Sequence, residues 1–222
     1  MDGRPIVLER TAGRCGELVL RRVGAHLEVI ANGVFLMDTR NGESERLLVS
    51  AAAQRMPGGG GRMLIGGLGV GFSLRQAAAD QRVREITVVE REPAVIGWAR
   101  GPLRGFGGEA LDDPRVRVVE ADLVDWLAVT TERFDAICLD IDNGPRWTVT
   151  DSNRALYGDG GLGTLSGRLT AGGVLAVWGA AADPSFDVRL RDRFCDVEAF
   201  QVPVPRGEPD VVWLARARPP AG

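Results

Sequence analysis

Lysine is absent from this chain, and histidine and tyrosine occur once each, at His26 and Tyr157. Without lysine no phosphate-binding P-loop can be written, because that loop needs an ammonium group to reach the phosphates. With a single histidine, in an N-terminal strand remote from every other candidate, neither a Ser–His–Asp set nor a histidine–carboxylate metal cluster can be assembled. His26 therefore reads as structural. Cys15, Cys138 and Cys195 are odd in number, widely spaced and without a CxxC pattern, which suits reduced thiols and gives no disulfide and no zinc site. No apolar run approaches the roughly 18 residues that span a bilayer, and the first residues lack a charged-then-apolar leader pattern. The expectation is a cytoplasmic protein that is not a membrane protein. All 27 basic residues are arginine, dispersed among 30 acidic ones to a net charge of -3. No basic stripe exists to neutralise a run of phosphates, so nucleic acid is not an expected partner.

What is present is ordinary for a globular chain: 222 residues, 45% hydrophobic and 26% charged, enough for one main core with a small appendage. The first residues read as short strands, Glu17–Leu20, Leu27–Ala31 and Val34–Asp38, with Asn32-Gly33 as a hairpin turn. A helix over Ser44–Gln54 ends at Pro57 and the run Gly58 to Gly61. The expected division is a small N-terminal β unit plus helix over residues 1–57 and a Rossmann-like domain over 58–222.

From there apolar strands alternate with helical segments, the pattern of a mostly parallel sheet covered on both faces. Strands are expected at Arg62–Gly66, Glu85–Glu90, Val116–Glu120, Phe134–Asp140 and Gly173–Trp178. Helices are expected at Phe72–Ala79, Pro93–Arg100, Leu123–Val129, Ser152–Leu169 and Pro184–Phe194. Asp196–Val202 and Val211–Ala217 are too close for a helical crossover and must pair antiparallel. A mostly parallel seven-stranded α/β sheet ending in an antiparallel hairpin is the layout of the class I methyltransferase fold.

The chemistry-bearing residues lie where this sheet's strands end. Gly66-Gly67-Leu68-Gly69-Val70-Gly71 joins a strand to a helix, and its glycines let backbone N–H groups approach a ligand; alone it also suits a tight turn. Glu90 ends the next strand, where an acidic side chain can accept from ribose hydroxyls. The Gly67-x-Gly69-x-Gly71 spacing favours S-adenosylmethionine over NAD. Asp122 can accept from an adenine amino group, cap the helix beginning at Leu123, or do both. Asp140-Ile141-Asp142-Asn143-Gly144-Pro145 puts carboxylates at the carboxyl edge of the sheet, where open α/β sheets bind ligands. Trp147, Asp151, Asn153 and Tyr157 follow in position to roof the same cleft.

Together these motifs resemble the spermidine synthase family of aminopropyltransferases over nearly the whole chain, from about Gly16 to Ala217. The most specific pieces are Gly66 to Gly71, Val88-Val89-Glu90, Pro93-Ala94-Val95-Ile96, Asp112-Asp113-Pro114-Arg115-Val116, Glu120-Ala121-Asp122 and Phe134-Asp135-Ala136-Ile137 leading to Asp140. The resemblance implies a nucleoside-sulfonium donor, S-adenosylmethionine or its decarboxylated form, and no metal. Its binding set would be Gly66, Gly67, Leu68, Gly69, Gly71, Glu90 and Arg91, with Asp122, Leu123 and Asp140. Asp140 takes the position of the family's catalytic aspartate, with Asp142 supporting its charge, and assembly as dimers or tetramers is implied, a homodimer being the expected form.

The departures fall on the groups that select the donor tail and the polyamine. The family's loop aspartate, which binds the donor's amine, is matched by Gly69, and its hairpin glutamine by Leu36. Its Tyr-His-Glu segment is answered only by Glu43 or Glu45, and the loop after Asp140 is two residues shorter. The leading expectation is therefore transfer of an alkyl group, methyl ahead of aminopropyl, to a small amine held by Glu45, Asn143, Trp147, Asn153 and Tyr157. Aminopropyl transfer from the decarboxylated donor to a polyamine-like acceptor is the first alternative. A non-catalytic adenosylmethionine-binding or scaffold protein is the second.

Overall fold

The computed structural model describes residues 4–141, 143–148 and 151–219, with the side chain of Asp151 left aside. Two sheets form. The first is an antiparallel meander of β1 (Ile6–Gly13), β2 (Gly16–Val23), β3 (His26–Ala31) and β4 (Val34–Asp38), in the order β1-β2-β3-β4. Asn32 and Gly33 both take positive φ, 50° and 80°, which gives the turn a twist matching the β3–β4 hairpin. Strand β1 was not expected from the sequence. Its residues 6–10 are exposed and mix apolar with charged side chains, so no buried alternation marks it.

Helix α1 (Glu43–Arg55) leads into the second sheet, whose strands are β5 (Gly61–Gly66), β6 (Val83–Glu90), β7 (Val116–Glu120), β8 (Phe134–Leu139), β9 (Leu169–Gly179), β10 (Cys195–Val202) and β11 (Asp210–Arg216). Their order is β10-β11-β9-β8-β5-β6-β7. Strands β5 to β9 pair in parallel, while β11 inserts antiparallel between β9 and β10. The expected hairpin is therefore present, with its second strand closest to the centre.

Pleating sends alternate residues to opposite faces, and both faces are apolar. Met63, Ile65, Ala136, Cys138, Val174 and Ala176 join one core, with α1, α2 (Phe72–Ala79) and α3 (Pro93–Arg100). Leu64, Ile137, Leu139, Leu175 and Val177 join the other, with α4 (Leu123–Val129), α5 (Asp159–Arg168) and α6 (Pro184–Arg193). Leu18, Leu20, Leu27 and Val29 of the small sheet belong to the first core. The single helix expected over Ser152–Leu169 is two pieces: a 3-10 turn over Asp151–Tyr157, then α5. Gly158 between them is extended (φ -89°, ψ 174°), and the small Gly160 and Gly161 follow it, so helix continuity has little to favour it there.

Candidate functional site

The parallel strands β5, β6 and β8 end on one edge, and a cavity of about 890 Å³ opens there. Its floor is the turn after β5. Gly67 N–H donates to Val89 O at 2.9 Å, and Asp140 N–H donates to Gly66 O at 2.9 Å, so three strand ends are held together by backbone alone. Gly67 has φ 87°, and a Cβ on it would lie 2.3 Å from Asp140 O. Only glycine permits that approach. Gly67, Leu68, Gly69 and Gly71 line the cavity, whereas Gly66 lies beneath them as the end of β5.

Glu90 closes β6 and is 7% exposed. Its two carboxylate oxygens accept from Leu68 N–H at 2.9 Å and Glu92 N–H at 2.8 Å. Burial and the nearby Glu92 charge raise its pKa, and these amide donors oppose the rise. Each oxygen keeps a lone pair for a further donor, as a ribose diol supplies. A cradle that only glycine fits, beside a buried carboxylate with acceptor capacity to spare, suits a nucleoside.

The remaining candidates divide. Arg91 and Leu123 line the cavity. The Arg91 guanidinium donates to Cys15 Sγ at 2.9 Å and stands 3.7 Å from Asp122. Asp122 caps α4, accepting from Val124 N–H at 2.9 Å and Asp125 N–H at 3.4 Å; its neighbours Ala121 and Leu123 form the wall. Asn153 lines the cavity and is 7% exposed. Trp147 is 57% exposed and stands apart from the lining. Tyr157 is buried in the second core, edge-on to Phe186 at 5.7 Å, with its hydroxyl 3.4 Å from Ile141 O. Asn143 is outside the lining too; its carbonyl accepts from Ala180 N–H at 3.1 Å. Asp142 lies outside the described residues.

The same cavity also carries an acidic group. Asp140, just past β8, accepts a hydrogen bond from Ser73 Oγ at 2.6 Å. Glu45, in the first turn of α1, and Asp210, at the start of β11, line the same space. Burial pushes Asp140 up to about 6 against the Ser73 hydrogen bond. Burial, then the Asp140 and Asp210 charges, raise Glu45 to about 7. Burial raises Asp210 as well. Sequence reasoning missed Ser44, Ser73, Trp178 and Asp210. Ser73 and Ser44 sit among ordinary helix residues, and Asp210 is the first residue of β11 with nothing local to mark it. Leu36 and Met37 of β4 also line the cavity, and Gly69 faces the Met37 sulfur. Among the described residues no group of three histidine, cysteine or acidic side chains is placed to hold a metal ion.

No family model matches the chain. Curated relatives do. Polyamine aminopropyltransferase 1 of Streptomyces coelicolor is 41% identical over 80 residues, 35% of this chain and 15% of that protein. The polyamine aminopropyltransferase of Mycobacterium tuberculosis is 34% identical over 128 residues, 56% of this chain and 24% of that one. That of Sodalis glossinidius is 35% identical over 98 residues, 43% and 34% of the respective chains. The matches thus span at most about a third of these relatives' lengths. Among solved structures, a spermidine synthase in complex with the transition-state analogue AdoDATO superposes with a TM-score of 0.75 at 18% identity, over 95% of this chain and 72% of that one. Spermidine synthase from Thermotoga maritima gives 0.75 at 17% identity, with the same coverage. The family resemblance and the fold read from the sequence are both borne out. The methyl transfer placed first is not supported by these names, which favour its first alternative.

Proposed function

We propose that this chain, as a divergent member of the spermidine synthase family, moves an aminopropyl group from decarboxylated S-adenosylmethionine to an amine. The observation that carries the reading is a single cavity with two chemically distinct ends. A glycine cradle with buried Glu90 suits a nucleoside, and Asp140, Glu45 and Asp210 suit a cationic amine. Glu90 would accept from the ribose hydroxyls, the Gly67–Gly71 turn would admit the nucleoside against its backbone, and Arg91 and Leu123 would bound it.

The sulfonium supplies an already activated carbon, so the protein's task is alignment, dehydration and proton removal. Asp140 orients the acceptor amine and receives its proton as the new N–C bond forms and the C–S bond breaks, leaving a neutral thioether. Ser73 fixes the Asp140 carboxylate through the 2.6 Å hydrogen bond. Leu36 and Met37 give the transferred chain an apolar passage in place of a charged anchor.

The test is mass analysis of amines incubated with the protein and either donor. Amines heavier by one aminopropyl unit, formed only with the decarboxylated donor, are the expected outcome. Methylated amine from intact S-adenosylmethionine would replace aminopropyl with methyl. Absence of product with both donors, together with retained nucleoside binding, would favour a non-catalytic role.

A further inference from the structure

Ser44 is 2% exposed, and its hydroxyl oxygen lies 2.9 Å from Glu45 Oε2 and 2.7 Å from Asp210 Oδ2. A serine hydroxyl has one proton to donate and two lone pairs with which to accept. If both carboxylates were ionised, one of these contacts would press two lone-pair oxygens together without a hydrogen between them. Both contacts become hydrogen bonds when one carboxyl carries a proton: that carboxylic acid donates to Ser44 Oγ, and Ser44 donates to the other carboxylate. Among the described residues, none supplies a counter-charge that removes the need. Facing Glu45 are Asp140 from the end of β8 and Asp210 from β11, while α2 presents only the Ser73 hydroxyl. From β9 the Trp178 indole N–H faces Asp210, lowering its pKa without completing a hydrogen bond. Asp38 of β4 also lines the cavity, paired with Arg40. The cations of the lining are Arg91, which is engaged with Cys15, Glu92 and Asp122, and Arg206, on the exposed hairpin loop.

We propose that Glu45 and Asp210 share one proton through the Ser44 hydroxyl, and that a cationic amine entering the cavity displaces it. Asp210 is thereby a positioning residue: it acts on the acceptor through Glu45, by setting how much negative charge the acidic end carries before the amine arrives. The proton leaves to solvent as the ammonium enters, and no covalent bond changes. Two of the three carboxylates then face the amine already charged, and the third becomes charged only when a cation is there to offset it. The direction in which burial moves both Glu45 and Asp210, with the Asp140 and Asp210 charges adding to the rise of Glu45, agrees with this sharing. The displacement rests on the amine-transfer reading, whereas the shared proton does not.

Carboxylate carbon NMR titration of the whole chain reads the proton directly and needs no ligand. In the unsubstituted protein Glu45 should titrate at about 7. Asp210→Asn supplies an amide that donates to Ser44 Oγ, freeing the serine proton for Glu45, so the Glu45 titration should fall by about one pH unit or more. Ser44→Ala removes the hydrogen bond that stabilises ionised Glu45 and should move its titration upward. Simple loosening of the fold would instead move Glu45 toward the ordinary carboxylate range in both variants.

Isothermal calorimetry of putrescine binding to the methylthioadenosine-saturated protein, in buffers of different ionisation heat, then counts protons. Between about pH 6, where Asp140 titrates, and the Glu45 titration point, release should be most of one proton per amine and fall about threefold or more in Asp210→Asn. Ordinary titration of both Glu45 and Asp210, or shifts of Glu45 in the same direction in both variants, would overturn the shared proton. Proton release that is the same with and without Asp210 would overturn the displacement. A shared proton in a protein that binds neither methylthioadenosine nor putrescine would leave the proton in place and bring down the proposed function instead.

Discussion

In the glycine end of the cavity, the contacts that hold the turn and seat Glu90 are local or pass between adjacent strands. Gly67 reaches Val89, Leu68 reaches Glu90, and Asp140 reaches Gly66, all through backbone N–H groups. In the acidic end the contacts run between side chains far apart in sequence: Ser44 to Asp210 across 166 positions and Ser73 to Asp140 across 67. The first end is held by backbone N–H groups of the glycine turn and one strand-end carboxylate. The second depends on which side chains α1, α2 and the β10–β11 hairpin happen to carry, so its chemistry varies more freely with sequence.

The largest expected effect separates the two ends at their junction. Asp140→Asn keeps the shape and the backbone hydrogen bond to Gly66 but removes the proposed proton acceptor. Turnover should fall by about 10²-fold or more. Methylthioadenosine affinity, measured by calorimetry, should stay within about twofold, because the partners proposed for the nucleoside are elsewhere. A matched loss of nucleoside affinity would show that the ends are not separable.

Gly67→Ala attacks the same junction from the backbone. It forces a side chain into φ 87° and a Cβ to within 2.3 Å of Asp140 O. The cost should be on the order of 2–3 kcal/mol in denaturant unfolding, with nucleoside binding and turnover lost together. Unchanged stability would mean that the cradle is not as tightly held as its geometry implies.

The same contrast explains what was legible in the sequence. Val34–Asp38, Phe72–Ala79, Pro93–Arg100, Val116–Glu120 and Leu123–Val129 were expected with the bounds observed, because turn residues, prolines and an N-cap aspartate mark their ends. The glycine turn and Glu90 were legible for a related reason, since a motif of contiguous residues carries its own geometry. Glu45 was legible only through the family resemblance, and Asp210 was not legible at all. Nothing near residue 210 tells that antiparallel insertion of β11 beside β9 will bring it against α1. Strand β1 was missed because its side chains face solvent, and pattern-reading finds only what is buried.

A smaller effect tests the acidic end through stability. Glu45 has its pKa raised from 4.5 to about 7, so the folded protein binds more protons there than the unfolded chain between those values. Folding is therefore penalised progressively as pH rises from about 4.5 to about 7, and the penalty is complete above that. Glu45→Gln removes it. The variant should match the parent in acid and gain on the order of 2 kcal/mol above neutrality, by thermal or denaturant unfolding across pH. A gain that is the same at every pH would assign the effect to packing rather than to charge.

The smallest effect bears on Asp122, which stands where the nucleoside end meets helix α4. Its carboxylate accepts from Val124 and Asp125 N–H groups and faces Arg91, and the cavity wall is formed by Ala121 and Leu123 on either side of it. Asp122→Ala should cost about 1 kcal/mol of stability as a lost N-cap. Asp122→Ser keeps a capping oxygen and should restore most of that loss. If capping is its main task, nucleoside affinity should change by less than about threefold in both variants, since an adenine contact held only by that carboxylate would cost more. A tenfold or greater loss of affinity in Asp122→Ser, with stability restored, would instead move Asp122 into the adenine-binding set and extend the locally encoded end of the cavity by one residue.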